Sequence, residues 1–237
     1  SNRDVASPFL TSIQENAVKP IEPVFLDFKK DMSQLTAKSD IPVLYKQNVT
    51  NDLFQLIYVF DMGNNNDKAL GTAFDYLEYL GTSDMTPEEL KSEFYRLACT
   101  FYVSPGNERT YVVLSGLNEN MPAAMQLFEK LLADAQVNKE AYNNLVGDIL
   151  KARADAKLNQ GQNFSRLMNY AMYGPKSPAT NLLTEAELAS MNPQELVDRI
   201  HNQNNYKHRI LYYGPSSSKD LLATIEQYHQ VPATLKD

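Results

Sequence analysis

The stretch KALGTAFDYLEYLGT, residues 68–82, is the most informative part of the sequence for the fold. Its apolar residues recur every three or four positions, which is the spacing of one face of an α-helix. The residues on this face are Ala69, Leu70, Ala73, Phe74, Leu77 and Leu80. Gly81 follows at the position where glycine commonly ends a helix. The pattern therefore predicts an amphipathic helix over residues 68–80.

Strand patterns lie on both sides of this helix. Residues 41–47 and 53–62 are rich in β-branched and aromatic side chains, and Asn and Asp between them favour a turn, so we predict a β-hairpin. Residues 99–103 and Thr110–Leu117 form a second predicted pair, across a Pro-Gly turn.

The remaining segments predict mostly helices. Thr86, Pro87 and Glu89 match a capping box with proline at the first helical position. Further helices are predicted at 121–134, 138–158 and 164–173, from Thr184 and Asn192, and at 218–229 with Ser218 as cap; a last strand is predicted at 207–213. Strand pairs alternate with groups of helices, without a series of parallel crossovers. This order predicts an α+β fold, with a mostly antiparallel β-sheet and helices packed on one face.

Composition limits the function classes. The 237 residues are 43% hydrophobic and 22% charged, with a net charge of -7. An acidic chain without a block of Lys and Arg argues against a nucleic-acid partner. No apolar run approaches the roughly 20 residues of a membrane span. We therefore expect a soluble protein, in the cytoplasm or periplasm.

Residue types that carry chemistry are few. His201, His208 and His229 do not have the spacing of a helical zinc pair, and we expect them to be surface or capping residues. Cys99 lies in an apolar run and is expected to be a buried small hydrophobe. The nucleophile and phosphate-loop motifs Gly-x-Ser-x-Gly and Gly-x-Gly-x-x-Gly do not occur. Composition and spacing alone thus indicate a globular domain without a reactive centre.

Several segments together resemble the insulinase–pitrilysin family of zinc metallopeptidases (peptidase family M16). Residues 35–63 resemble the opening strands of its LuxS/MPP-like metalloprotease domain. Gly71-Thr72-Ala73 and Gly81-Thr82 flank the position of its metal helix. Tyr173-Gly174-Pro175 resembles a family loop, and the strand ending at Tyr213-Gly214-Pro215 resembles the closing strand of the domain.

The resemblance implies that the zinc motif is degenerate. Active members carry His-x-x-Glu-His on the metal helix, where this sequence has Phe74, Leu77 and Glu78. Phenylalanine has no lone pair for a metal, and leucine does not accept a proton, so two of the three roles are missing. The family's third ligand falls near Asp148 on the later long helix. We therefore expect neither a metal site nor a catalytic residue in this chain.

The resemblance also implies a role beside a catalytic domain. It predicts a connector at residues 1–20 and an M16-like domain without the zinc motif at 21–237, forming the non-catalytic half of a clamshell endopeptidase. The partner is then a catalytic M16 domain that holds the zinc, and a peptide is the substrate. The alternative is a separate non-catalytic subunit, scaffold or binding domain. Arg109 and Tyr111 lie in the neighbourhood where relatives contact substrate, but the sequence does not fix their register, so substrate-binding residues stay unassigned.

Overall fold

The computed structural model describes residues 32–178 and 180–237 of the chain, so the predicted connector and the boundary at residue 20 lie outside the described residues. Apart from one short strand at Ser33–Thr36, which was not predicted, strands and helices in the described part follow the predicted order. The strands are β1 (Ser33–Thr36), β2 (Pro42–Gln47), β3 (Leu53–Phe60), β4 (Cys99–Pro105), β5 (Thr110–Leu117) and β6 (His208–Gly214). The α-helices are α1 (Leu70–Leu77), α2 (Pro87–Arg96), α3 (Met121–Asp134), α4 (Lys139–Leu158), α5 (Gln160–Tyr173), α6 (Glu185–Ser190), α7 (Pro193–Asn202) and α8 (Ser218–Tyr228).

The six strands form one sheet in the order β1-β2-β6-β3-β5-β4. Every neighbouring pair is antiparallel except β2 and β6, which run parallel. The predicted pair β4–β5 is confirmed, with Cys99 opposite Gly116. The sheet is therefore mostly antiparallel, as predicted, with one parallel pair that the sequence pattern did not indicate.

The predicted hairpin of β2 and β3 is wrong, because β6 lies between these two strands. Ile57 of β3 pairs with Leu211 of β6, and Leu211 pairs in turn with Leu44 of β2. The chain leaves β2 over the end of β6, where the Asn48 N–H donates to the Gly214 carbonyl at 2.8 Å. Turn residues after β2 suit this crossing as well as they suit a hairpin. Strand β6 decides between a hairpin and a crossing, because it forms hydrogen bonds with β2 on one side and with β3 on the other.

One face of the sheet packs against helices and forms the core. Alternate residues of β3 point into this core, where Phe54, Leu56, Tyr58 and Phe60 are all at most 2% exposed. Helices α1, α3, α7 and α8 contribute side chains to the same cluster. The period of two along β3 matches the strand geometry on which the prediction rested. The predicted α+β class, with helices on one face, is confirmed.

Helix starts follow the predicted capping chemistry. The Thr86 hydroxyl accepts from the Glu89 N–H at 3.1 Å, and the Glu89 carboxylate accepts from the Thr86 N–H at 2.9 Å. A second capping box joins Thr184 and Glu187. At α8 the cap is Ser217 rather than the predicted Ser218, a shift of one residue. None of the helices in the described part has the length and apolar character needed to cross a membrane.

Candidate functional site

Helix α1 carries the residues predicted to stand at the zinc-motif positions, and their side chains point in different directions. Phe74 and Leu77 are 2% and 1% exposed and belong to the helix-side core. Glu78 caps the C-terminal end of the helix and is exposed to solvent. Two of the three predicted positions therefore pack against the domain itself and present no atom to a metal or a peptide.

Two tyrosines lie where α1 meets α4, Tyr76 on the helix and Tyr79 just after its end. The Tyr76 hydroxyl donates to the Asn138 carbonyl at 2.5 Å and accepts from the Asn138 N–H at 2.8 Å, directly before α4. Its ring makes an edge contact with Tyr142 of α4, at 5.7 Å between centroids. Tyr79 lies beside Asp148, and partial burial followed by this carboxylate raises the pKa of the Tyr79 phenol. The junction of α1 and α4 is therefore held by tyrosine hydroxyls.

Carboxylates also lie near this junction, but they do not form a metal site. Removal from water, followed by repulsion from Glu78, raises the pKa of Asp75. Asp148, the expected position of a third ligand, interacts with Tyr79. Across the described residues, no group of three or more His, Cys, Asp or Glu is arranged to hold a metal ion. The residues present do not fit the zinc that the resemblance implies for active members.

Comparison with known proteins bears on the fold. No protein-family model matches the sequence, and no curated protein matches it either. Solved structures do match: the inactive domain of a peptidase M16 from Pseudomonas fluorescens superposes with a TM-score of 0.74 at 16% identity, over 87% of this chain and 52% of that one. The periplasmic protease PqqL from Escherichia coli gives 0.72 at 15% identity, over 88% of this chain and 24% of that one.

The chain has the fold of an M16 peptidase domain. A protease from Helicobacter pylori shares it, with a TM-score of 0.68 at 11% identity over 87% of this chain and 52% of that one. The chain thus spans between about a quarter and a half of these solved proteins. The resemblance seen in the sequence is confirmed at the level of the fold, while the zinc-motif register at Phe74, Leu77 and Glu78 stays a prediction.

A buried polar network in the M16-fold domain was not predicted from the sequence. Glu129 of α3 is 1% exposed, and His229, which follows α8, is 0% exposed. His229 Nδ1 lies 2.5 Å from Glu129 Oε1, and His229 Nε2 lies 2.8 Å from Nε2 of His208 on β6. The expectation that these two histidines lie at the surface is wrong, although His229 is the C-cap residue of α8. Their contact joins elements 21 residues apart in sequence, so no local pattern could reveal it.

The Glu129 carboxylate is saturated with donors. The Tyr58 hydroxyl donates to Oε1 at 2.8 Å, the Asn204 side-chain amide donates to Oε2 at 3.0 Å, and the Gln230 N–H donates to Oε2 at 3.3 Å. A buried charge is tolerated when such partners replace water. Burial, then the negative charge of Glu129, raises the pKa of Tyr58 well above its ordinary value, so this phenol stays a donor.

Hydrogen-bond geometry fixes where the protons of the histidine pair lie. His208 Nδ1 faces the Tyr206 carbonyl at 2.6 Å and must donate, because a carbonyl only accepts. Burial, then the neighbouring His229, lowers the pKa of His208 to about 4. His208 is therefore neutral at neutral pH, and its Nε2 accepts from His229 Nε2–H. The network holds together α3, β3, β6 and the chain after α8, away from solvent, and has a structural role.

The residues left unassigned by the sequence lie in an exposed ionic cluster. Arg109 Nε and Arg209 Nη1 both donate to the Asp61 carboxylate, each at 2.9 Å. Hydrogen bonding from Arg209 is the main cause that lowers the pKa of Asp61. Tyr111 interacts with the Arg109 guanidinium and is 40% exposed. This cluster is accessible to a ligand, but none of its contacts identifies one.

Cys99 agrees with its predicted role. It is 2% exposed, and burial raises the pKa of its thiol. A thiol that is both inaccessible and protonated is a poor nucleophile. The structure therefore supports the interpretation of Cys99 as a small core residue.

Proposed function

We propose that this chain is the non-catalytic half of a clamshell zinc metalloendopeptidase, which closes the substrate chamber and docks to a zinc-bearing catalytic half. The observation that carries the proposal is helix α1. Its Phe74 and Leu77 are core residues, and contacts toward α4 are made by Tyr76 of the helix and by Tyr79 just after it. In this chain the helix is a structural element.

The chemistry of metal-dependent hydrolysis explains why α1 is decisive. A catalytic zinc site needs three protein ligands, an open position for water and a general base near that water. Glu78 and Asp148 supply carboxylates on the surface, but each lacks the imidazole partners that a zinc peptidase uses. Zinc and the base must therefore come from another domain, if the parent protein is a peptidase.

The structural neighbours support a peptidase that consists of a catalytic and a non-catalytic domain. One is named as the inactive domain of a peptidase M16, and others are named as proteases. In each of them the matched fold accounts for at most 52% of the chain. A domain of this fold without zinc chemistry is thus consistent with one part of a larger peptidase, whose remaining part holds the metal.

The test compares the isolated chain with the same chain in the presence of the zinc-bearing half. Purified chain is analysed for zinc by mass spectrometry and assayed against a quenched-fluorescence peptide library, with and without a chelator. We expect substoichiometric zinc and no chelator-sensitive cleavage from the chain alone. Addition of the zinc-bearing half of the parent protein should restore cleavage. Stoichiometric zinc together with chelator-sensitive cleavage by the chain alone would refute the proposal.

A further inference from the structure

Helix α5 has its apolar face turned away from the domain. Phe164, Leu167, Met168 and Met172 stand at positions i, i+3, i+4 and i+8, so they form one face of the helix. They are 66%, 64%, 45% and 62% exposed, respectively. A helix at the surface of a globular domain normally directs such a face into the core. Here the face is in solvent, which marks it as a surface for another molecule.

The opposite face of α5 confirms this orientation. Among the α5 side chains that the structure describes, Arg166 and Asn169 are the ones that are partly buried. At about 100° per residue, both lie on the side of the helix opposite Phe164 and Met168. The polar side of α5 therefore meets the domain, while its apolar side is free. This is the reverse of the arrangement in α1, where Phe74 and Leu77 enter the core.

The outward face carries no charge. Arg166 is the one charged residue among the 14 of α5, and it lies on the inward side. Leu158, two residues before α5, is also exposed, at 84%. A surface of leucine, methionine and phenylalanine without charges matches the composition of the core of a protein interface. Its occupant should be another uncharged, apolar protein surface.

We propose that the outward face of α5 is the docking surface for the zinc-bearing half. This inference rests on the proposed function and names the surface by which it is carried out. The structural neighbours place the same fold within chains of which it covers only 24% to 52%, so such a domain has further polypeptide available to cover an exposed apolar helix. An apolar, pre-formed helix face suits a permanent contact between domains, because its burial does not require charged groups to be removed from water.

The test measures binding of the zinc-bearing half, expressed as a separate chain, by titration calorimetry. The variant is Leu167→Glu, which places a charge in the centre of the outward face. The matched control is Tyr95→Glu, which makes the same change of charge on α2 at a side chain that is 88% exposed. Both sites are exposed, and circular dichroism with thermal unfolding verifies that each variant is folded. We expect Leu167→Glu to weaken binding at least tenfold and Tyr95→Glu to leave it within twofold.

Each outcome decides the inference. Equal binding by both variants and the unchanged chain would overturn the α5 surface but leave the proposed function intact. Absence of binding by the unchanged chain would overturn both. Sedimentation of the chain alone as a dimer that Leu167→Glu dissociates would show that a second copy is the occupant, against the proposal. Unchanged docking with weakened binding of an apolar substrate peptide would assign the face to substrate instead.

Discussion

Acidification should destabilise the domain through His208. The pKa of this imidazole falls from an ordinary 6.5 to about 4 in the folded protein, mainly because of burial. Between these values the unfolded chain takes up a proton that the folded chain excludes. Since unfolding then binds protons, the free energy of unfolding decreases as the pH falls through this window. The contribution of neutral, buried His208 to the free energy of unfolding is fully present above pH 6.5 and is lost as the pH approaches 4.

The structure gives the magnitude of this effect. A separation of about 2.5 pH units between the two states corresponds to roughly 3 kcal/mol, at about 1.4 kcal/mol for each unit. Domains are typically stable by about 5–15 kcal/mol, so this is a substantial part of the total. A second proton on His208 has no acceptor, because Nε2 already faces His229 Nε2–H at 2.8 Å. Protonation therefore requires the histidine pair to separate.

The assay is urea unfolding at a series of pH values between 4 and 7, on the unchanged chain and on His208→Gln. Titration of carboxylates affects both proteins, so the difference between them isolates the histidine. We expect the unchanged chain to lose roughly 3 kcal/mol more than the variant across this range. His201→Gln serves as control, because His201 lies outside the network and hydrogen-bonds to the Ala135 carbonyl. It should keep the steep pH dependence.

Two results would refute the reasoning. If the free energy of unfolding depends on pH in the same way in His208→Gln and in the unchanged chain, unfolding does not bind a proton at His208. An imidazole resonance of His208 that titrates near 6.5 in the folded protein would show that burial does not exclude the charge. The second measurement does not depend on how well the variant folds.

Three further predictions concern stability and are checked by denaturant unfolding. The substitutions Phe74→His and Leu77→Glu, which place zinc-motif residues on α1, should lower the free energy of unfolding by about 3 kcal/mol or more, because both side chains are in the core. They should not create zinc affinity, and tight zinc binding by a stable variant would contradict this. Thr86→Ala removes the acceptor of the Glu89 N–H and should cost about 1 kcal/mol, whereas Thr86→Ser should cost less. Gly116 has φ +144°, and a Cβ there would approach the Ala98 carbonyl oxygen to 2.3 Å. Gly116→Ala should therefore lower the free energy of unfolding by about 2 kcal/mol or more. An unchanged midpoint of denaturant unfolding would exclude this strain.

Local chemistry explains which parts of the fold were predictable. The α2 start at Thr86 depends on residues within one helical turn, and the β4–β5 pair depends on a short turn, so both could be predicted from the sequence. The insertion of β6 between β2 and β3 depends on residue pairs that are at least 148 positions apart, and a single sequence contains no local sign of it. The candidate site shows the same division. Burial of Phe74 and Leu77 agrees with their helical spacing, whereas the partners of Tyr76 and Tyr79 on α4 follow only from the packing.

The buried network and helix α5 together suggest how the domain can lack zinc chemistry and still keep a fixed shape. Glu129 and His229 are a polar pair inside the sheet-and-helix core, and hydrogen bonds join them to partners on four segments. Such a network is costly when half satisfied, so it disfavours alternative packings. A rigid body of this kind can present the outward face of α5 as a pre-formed surface, because the polar side of that helix is already held against the domain. Loosening the network by acid should therefore weaken docking before it unfolds α5.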